Sequence, residues 1–216
     1  MNRTILYALG VGHNTPVLID LAESAGYSIA GLYHYDTSRT HEFDHGLEIL
    51  GSFDELFSAS TLKDKSFLLT MGDSDIRQAL TERILEKGGF VPTIIHPSAI
   101  VSRFAKISSV GVYVGALSVI QADTVIDEGT VILTGVNISH TNNIGKYCFI
   151  AGGATIGAYT NVKDFCFIGQ GVLTISGKVG EIGERAKIGA GSLVTKSVLP
   201  DMFVVGRPAR SIETKM

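Results

Sequence analysis

From Val114 a β-branched aliphatic residue returns at every sixth position: Val114, Ile120, Ile126, Ile132, Ile138, Ile144, Ile150, Ile156, Val162 and Ile168. Ile182, Ile188 and Val194 resume the step after a gap of fourteen residues, two more than a double hexad. Ile95, Val101 and Ile107 keep it ahead of Val114, with one extra residue before that anchor. Four positions after each anchor the side chain is small or medium-sized: Ser118, Thr124, Thr130, Val136, Asn142, Cys148, Ala154, Thr160, Cys166 and Val172. Such a step fits neither the 3.6-residue turn of a helix nor the spacing of a simple hairpin sheet. It predicts a solenoid in which short strands and turns wind, with the aliphatic side chains stacked inside.

The first ninety-odd residues have a different rhythm. "TILYALG" (Thr4–Gly10), "SIAGLYHYD" and "KSFLLTMG" (Lys65–Gly72) read as buried strands. "TPVLIDLAESAGY" reads as a helix, with Asn14 as its N-cap, Pro16 in the first turn and Gly26 as its stop. "DSDIRQALTERILEKGG" is a second helix, acidic at its start and closed by Lys87-Gly88-Gly89. Strands alternating with helices predict a small parallel sheet of Rossmann type.

A formal charge of −3 and the even mix of signs give no reason to expect a nucleic-acid or anionic-membrane partner. No apolar run approaches the roughly 20 residues of a membrane span, and the apolar stretch near the N-terminus is a weak leader candidate. Two cysteines make no disulfide framework. These features point to a cytoplasmic protein. No ligand set suggests a bound metal.

"ILYALGVGHNTPVLIDLAE", "LYHYD", "TMGDSDIRQAL", "HPSAIVS" and "VVGRPARSI" occur in this order. Together they resemble the nucleotide-sugar N-acetyltransferases of the left-handed β-helix, hexapeptide-repeat family, which modify amino-dideoxysugars for bacterial surface glycans. The di-N-acetylbacillosamine and perosamine enzymes are members, and sialic-acid O-acetyltransferases are relatives. The resemblance implies two domains: a Rossmann-like nucleotide-sugar-binding domain over 1–94, and a left-handed β-helix acyltransferase domain with a C-terminal tail over 95–216. It also implies coils of 18 residues and a homotrimer with active sites at subunit interfaces. Cys148 and Cys166, 18 apart, then stack in adjacent coils as core residues.

By the same resemblance Val11, Gly12 and His13 border the diphosphate of the nucleotide sugar, where a helix N-terminus suits an anion. Tyr35 and Asp36 border the base or ribose, although relatives often have two acidic residues there. Gly72 and Ile76 complete the substrate set. A UDP-linked 4-amino sugar is the first expectation, ahead of dTDP or GDP forms. Acetyl-CoA is the co-substrate, bordered by Phe149, Gln170, Gly189 and Ala190, with Arg207 and Arg210 near its phosphates.

His140, two residues after the Ile138 anchor, matches the family's general base. An imidazole suits a base that works near neutral pH. It would take the proton that the sugar amine loses on attacking the thioester. Bacillosamine-type enzymes often carry glutamate immediately after this histidine, where this chain has Thr141, and a second family histidine aligns with Phe149. Position 141 minus 18 is Asp123, one coil away, so its carboxylate is expected to help orient His140 directly or through water. Sugar O-acetylation, or nucleotide-sugar binding without catalysis, are the alternative readings.

Overall fold

All ten hexad anchors from Val114 to Ile168 are buried, and so are the ten side chains four positions after them. The structure, a computed structural model, describes residues 4–212. It divides into two units, residues 1–95 and 96–216.

The second unit is a parallel β-helix of two-residue strands arranged on three faces. The first face stacks Ile100–Val101, Val119–Ile120, Asn137–Ile138, Thr155–Ile156, Leu173–Thr174 and Leu193–Val194. The second stacks Lys106–Ile107, Val125–Ile126, Asn143–Ile144, Asn161–Val162 and Glu181–Ile182. The third includes Tyr113–Val114, Val131–Ile132, Phe149–Ile150, Phe167–Ile168, Lys187–Ile188 and Phe203–Val205. In the regular part, pairing is in parallel register at a step of 18, as Val119 with Asn137 and Asn137 with Thr155.

No coil could stand alone. Three buried anchors contribute roughly 1.5–3 kcal/mol each, whereas ordering 18 backbones costs about 1–2 kcal/mol per residue. Stacking closes that deficit, because each coil lends its neighbours both hydrogen bonds and an apolar lid.

The fourteen-residue step between Ile168 and Ile182 has a plain cause. Thr174 occupies the missing anchor position, is buried, and its Oγ1 accepts the Gly157 N–H at 2.7 Å. The two extra residues fall in the next connection, where Val179 is buried instead. Cys148 and Cys166 are both fully buried, and their thiols face the carbonyls of Lys163 (3.1 Å) and Gly183 (3.0 Å).

Each coil turns its corners with residues in the left-handed region. Asp123, Thr141, Tyr159 and Gly177 form one column at φ 58°, 57°, 65° and 69°. That conformation is free for glycine and tolerable for aspartate, but costs roughly 1–2 kcal/mol elsewhere.

In the first unit, β1 (Ile5–Leu9), α1 (Thr15–Ser24), β2 (Ser28–His34), β3 (Phe43–Asp44), β4 (Leu47–Ser52), α2 (Phe53–Ser58), β5 (Ser66–Leu69) and α3 (Ser74–Glu86) follow in order. The sheet runs β3-β4-β2-β1-β5, parallel except for the β3–β4 hairpin. The hairpin and α2 are absent from the sequence expectation. Ser52 and Glu55 form a full capping box at the start of α2, a local signal that was there to read. Leu56, Phe57, Leu80 and Ile84 from α2 and α3 join Leu9, Phe67 and Leu69 of the sheet in one apolar cluster. Among the described residues, no helix is long and apolar enough to cross a membrane.

Candidate active site

The turn from β1 into α1 is shaped by its side chains. Gly10 has φ +110°, and a Cβ there would meet Thr70 Oγ1 at 2.7 Å, so the position requires glycine. Thr15 Oγ1 accepts the Gly12 N–H at 2.9 Å and lies 3.0 Å from Thr70 Oγ1, tying the turn to the end of β5. Asn14 precedes the helix but makes no side-chain cap. The Gly12 backbone is open, with nothing within 4 Å of where its Cβ would lie.

A cleft of about 530 Å³ opens beside this turn. It collects Val11, Gly12, His13, Tyr35, Gly72 and Ile76, six of the seven expected substrate residues. Asp36 stands apart from the lining: its carboxylate caps a short 3-10 turn, accepting Ser38 N–H (2.9 Å) and Ser38 Oγ–H (2.7 Å). Those two bonds hold its carboxyl below the usual carboxylate range.

The cleft also uses Thr15, His34, Phe53, Thr70 and Met71, which the sequence did not single out. His34 is buried, and its Nδ1 accepts the Asp36 N–H at 3.1 Å. The buried Arg77 donates to the carbonyls of Gly72 (2.8 Å) and Met71 (3.3 Å), which fixes the loop before α3.

His140 is exposed at the corner between the first and second faces of the solenoid. Its corner is tied down by hydrogen bonds. His140 N–H donates to Gln121 Oε1 (3.2 Å) and Thr141 N–H to Ala122 O (2.9 Å). The fully buried Asn142 donates to Ser139 O (2.7 Å) and accepts the Thr160 N–H (2.7 Å). Nδ1 of the imidazole lies 3.1 Å from Thr141 Oγ1. In the tautomer with its proton on Nδ1, the ring donates to Thr141, and Nε2 is free to take a proton.

Asp123 sits in the corner below Thr141, as the coil count requires. Among the described residues no hydrogen bond joins it to His140. Tyr159, one coil above Thr141, lies against the histidine instead, with ring centroids 5.2 Å apart and planes at 90°. Adding 18 to 141 finds this residue from sequence, just as subtracting 18 finds Asp123.

The residues expected at acetyl-CoA occupy another part of the same unit. Phe149 lies on the third face, nearly buried and stacked on Phe167 at 5.7 Å. Gln170, Gly189 and Ala190 gather at the corner between the third and first faces, where Gly191 N–H donates to Gln170 O and Arg207 Nη1 to Gly191 O. Arg210 lines a small cavity of about 160 Å³ with Lys196 and Leu199. Within one chain, therefore, His140 and the Gln170, Gly189 and Ala190 corner stand at opposite edges of the first face. Among the described residues no cluster of three or more His, Cys, Asp or Glu is placed to hold a metal ion.

No protein-family model matches the chain. Solved structures match it over nearly its full length. The acetyltransferase domain of PglB from Neisseria gonorrhoeae FA1090, in complex with acetyl coenzyme A, is 26% identical with a TM-score of 0.85, the match covering 98% of this chain and 100% of that one. PerB from Caulobacter crescentus, in complex with CoA and GDP-perosamine, is 25% identical with a TM-score of 0.85, covering 96% and 97%. A variant of perosamine N-acetyltransferase from the same organism, with the same two ligands, is 25% identical with a TM-score of 0.84, covering 97% of each chain.

Proposed function

We propose that the protein is an acetyl-CoA-dependent N-acetyltransferase whose acceptor is the amino group of a nucleotide-linked amino-dideoxysugar. The observation that carries this reading is His140, an exposed imidazole whose Nδ1 is held at 3.1 Å by Thr141 while its other nitrogen stays open. The full-length likeness to enzymes solved with acetyl coenzyme A, or with CoA and a nucleotide sugar, supports it.

In this reading the first unit is Rossmann-like and binds the nucleotide, with the diphosphate against Val11, Gly12 and His13 and the nucleoside along Tyr35, Gly72 and Ile76. The second unit is a left-handed β-helix that supplies the chemistry. The sugar amine attacks the thioester carbonyl, the C–N bond forms, and His140 accepts the proton lost by nitrogen. The C–S bond then breaks, and the imidazolium returns the proton to the departing thiolate. Cys148 and Cys166 are too deeply buried to carry the acetyl group, so transfer is direct.

The separation of His140 from Phe149, Gln170, Gly189, Ala190 and Arg207 within one chain supports a homotrimer in which neighbouring subunits complete each site. A cytoplasmic location belongs to the same proposal. For Asp123 the proposal is a positioning role through water. It fails if Asp123→Asn leaves kcat/KM and its pH profile unchanged.

The test is thiol release from acetyl-CoA in the presence of nucleotide-linked 4-amino sugars, with their hydroxyl counterparts as controls. Transfer to the amine alone, abolished in His140→Ala, is the expected result. The sequence favours UDP, whereas PerB was solved with GDP-perosamine. A thermal-shift panel of UDP-, dTDP- and GDP-amino sugars decides, because only a ligand of the native state raises Tm.

A further inference from the structure

The column of corner residues around His140 changes character along its length. Asp123 and Gly177 are residue types that accept positive φ, whereas Thr141 is β-branched and Tyr159 is bulky, at φ 57° and 65°. Strained backbone persists where something else holds it, and it gathers at functional sites.

Two other aromatics in the left-handed region, Tyr147 and Phe165, show what normally compensates. Tyr147 is buried and stacked on Phe165 at 5.8 Å, and Arg185 lies over Phe165 at 4.4 Å. Tyr159 has no such return. It is 61% exposed, its one ring partner among the described residues is His140, and its hydroxyl has no hydrogen-bond partner there. The opposite corner column carries Leu117 at φ 59°, followed by glycine at Gly135, Gly153 and Gly171, so a ring is not needed to turn the chain.

We propose that Tyr159 is a positioning residue for the base: its ring, at right angles to the His140 imidazole, packs against it and restricts its rotation. Among the described residues no carboxylate bonds the imidazole directly; its one side-chain hydrogen-bond partner is the neutral Thr141 hydroxyl, and the ring supplies a further restraint. The proposal rests on the reading of His140 as general base.

The backbone makes the test selective. Tyr159→Gly removes the ring and relieves the left-handed corner together, so it is expected to fold with a Tm equal to or above that of the parent. With a nucleotide-linked amino sugar and acetyl-CoA, its kcat is expected to fall about 10- to 100-fold with both KM values little changed. Tyr159→Phe, which keeps the ring, is expected to restore turnover.

Long-range 1H–15N spectra of the His140 imidazole give a readout that needs no turnover. The full-length protein is expected to show one Nδ1-protonated tautomer with ring-current-shifted protons, and Tyr159→Gly an averaged ring. Full activity in Tyr159→Gly, a dead Tyr159→Phe, or an unchanged imidazole spectrum overturns the inference. Wild-type rates in His140→Ala would instead overturn the reading of the base, and the spectra would still decide whether Tyr159 holds the ring.

Discussion

Thr141 Oγ1 lies 3.1 Å from Nδ1 of His140. A hydroxyl can take the Nδ1 proton and so select the tautomer, but it brings no charge to stabilise an imidazolium. Thr141→Ser should therefore keep most of the activity. Thr141→Val removes the acceptor at constant shape and is expected to lower kcat about tenfold, with KM unchanged. Steady-state kinetics with both substrates varied checks the split.

Asn142 anchors the same corner from inside the solenoid. It is fully buried and satisfies both Ser139 O and Thr160 N–H, each at 2.7 Å. Asn142→Ala leaves the buried Thr160 N–H without its acceptor, whereas Ser139 O keeps the Thr124 hydroxyl (3.0 Å), and is expected to cost about 1–3 kcal/mol for the one group left unpaired. Denaturant unfolding measures that loss. If the corner holds His140 in place, kcat falls with it.

Gly10 and Gly12 are expected to respond oppositely to the same change. Gly10→Ala drives a Cβ to 2.7 Å from Thr70 Oγ1 at φ +110°, so stability should drop by about 1–3 kcal/mol. Gly12→Ala meets nothing within 4 Å and should leave Tm unaltered. If the turn cradles a diphosphate through its backbone, the Gly12 methyl blocks that approach, and nucleotide-sugar affinity falls in calorimetry while the fold is intact.

Burial, reinforced by the neighbouring Cys166, pushes the Cys148 thiol well above its ordinary value. The unfolded chain then ionises first as pH rises. Stability from this group is fully present below the unfolded thiol pKa of about 8.5, and is lost above it by up to about 1.4 kcal/mol per pH unit. Cys148→Ala should unfold more easily at pH 7 but show a shallower alkaline decline. Denaturant titrations of both proteins between pH 7 and pH 10 test the sign.

The ten-anchor hexad run by itself points to a solenoid with every Ile and Val of the repeat inside, and the family resemblance implies that three hexads close one coil. Adding or subtracting 18 then places Cys148 beside Cys166 and Asp123 below Thr141 without any coordinates. The glycine turn between a strand and a helix likewise marked the cleft, where Val11, Gly12, His13, Tyr35, Gly72 and Ile76 meet. Periodicity does not report what a side chain does after it leaves the corner. Packing aims Tyr159 at His140, and local hydrogen bonding turns Asp36 onto Ser38, because those choices follow from rotamers and neighbours that the hexad pattern leaves free. The threonine that replaces an aliphatic anchor at position 174, and the β3–β4 hairpin of the first unit, also became clear only in three dimensions. There a hydroxyl found Gly157, and short strands gained stability from a sheet edge that no local propensity announces.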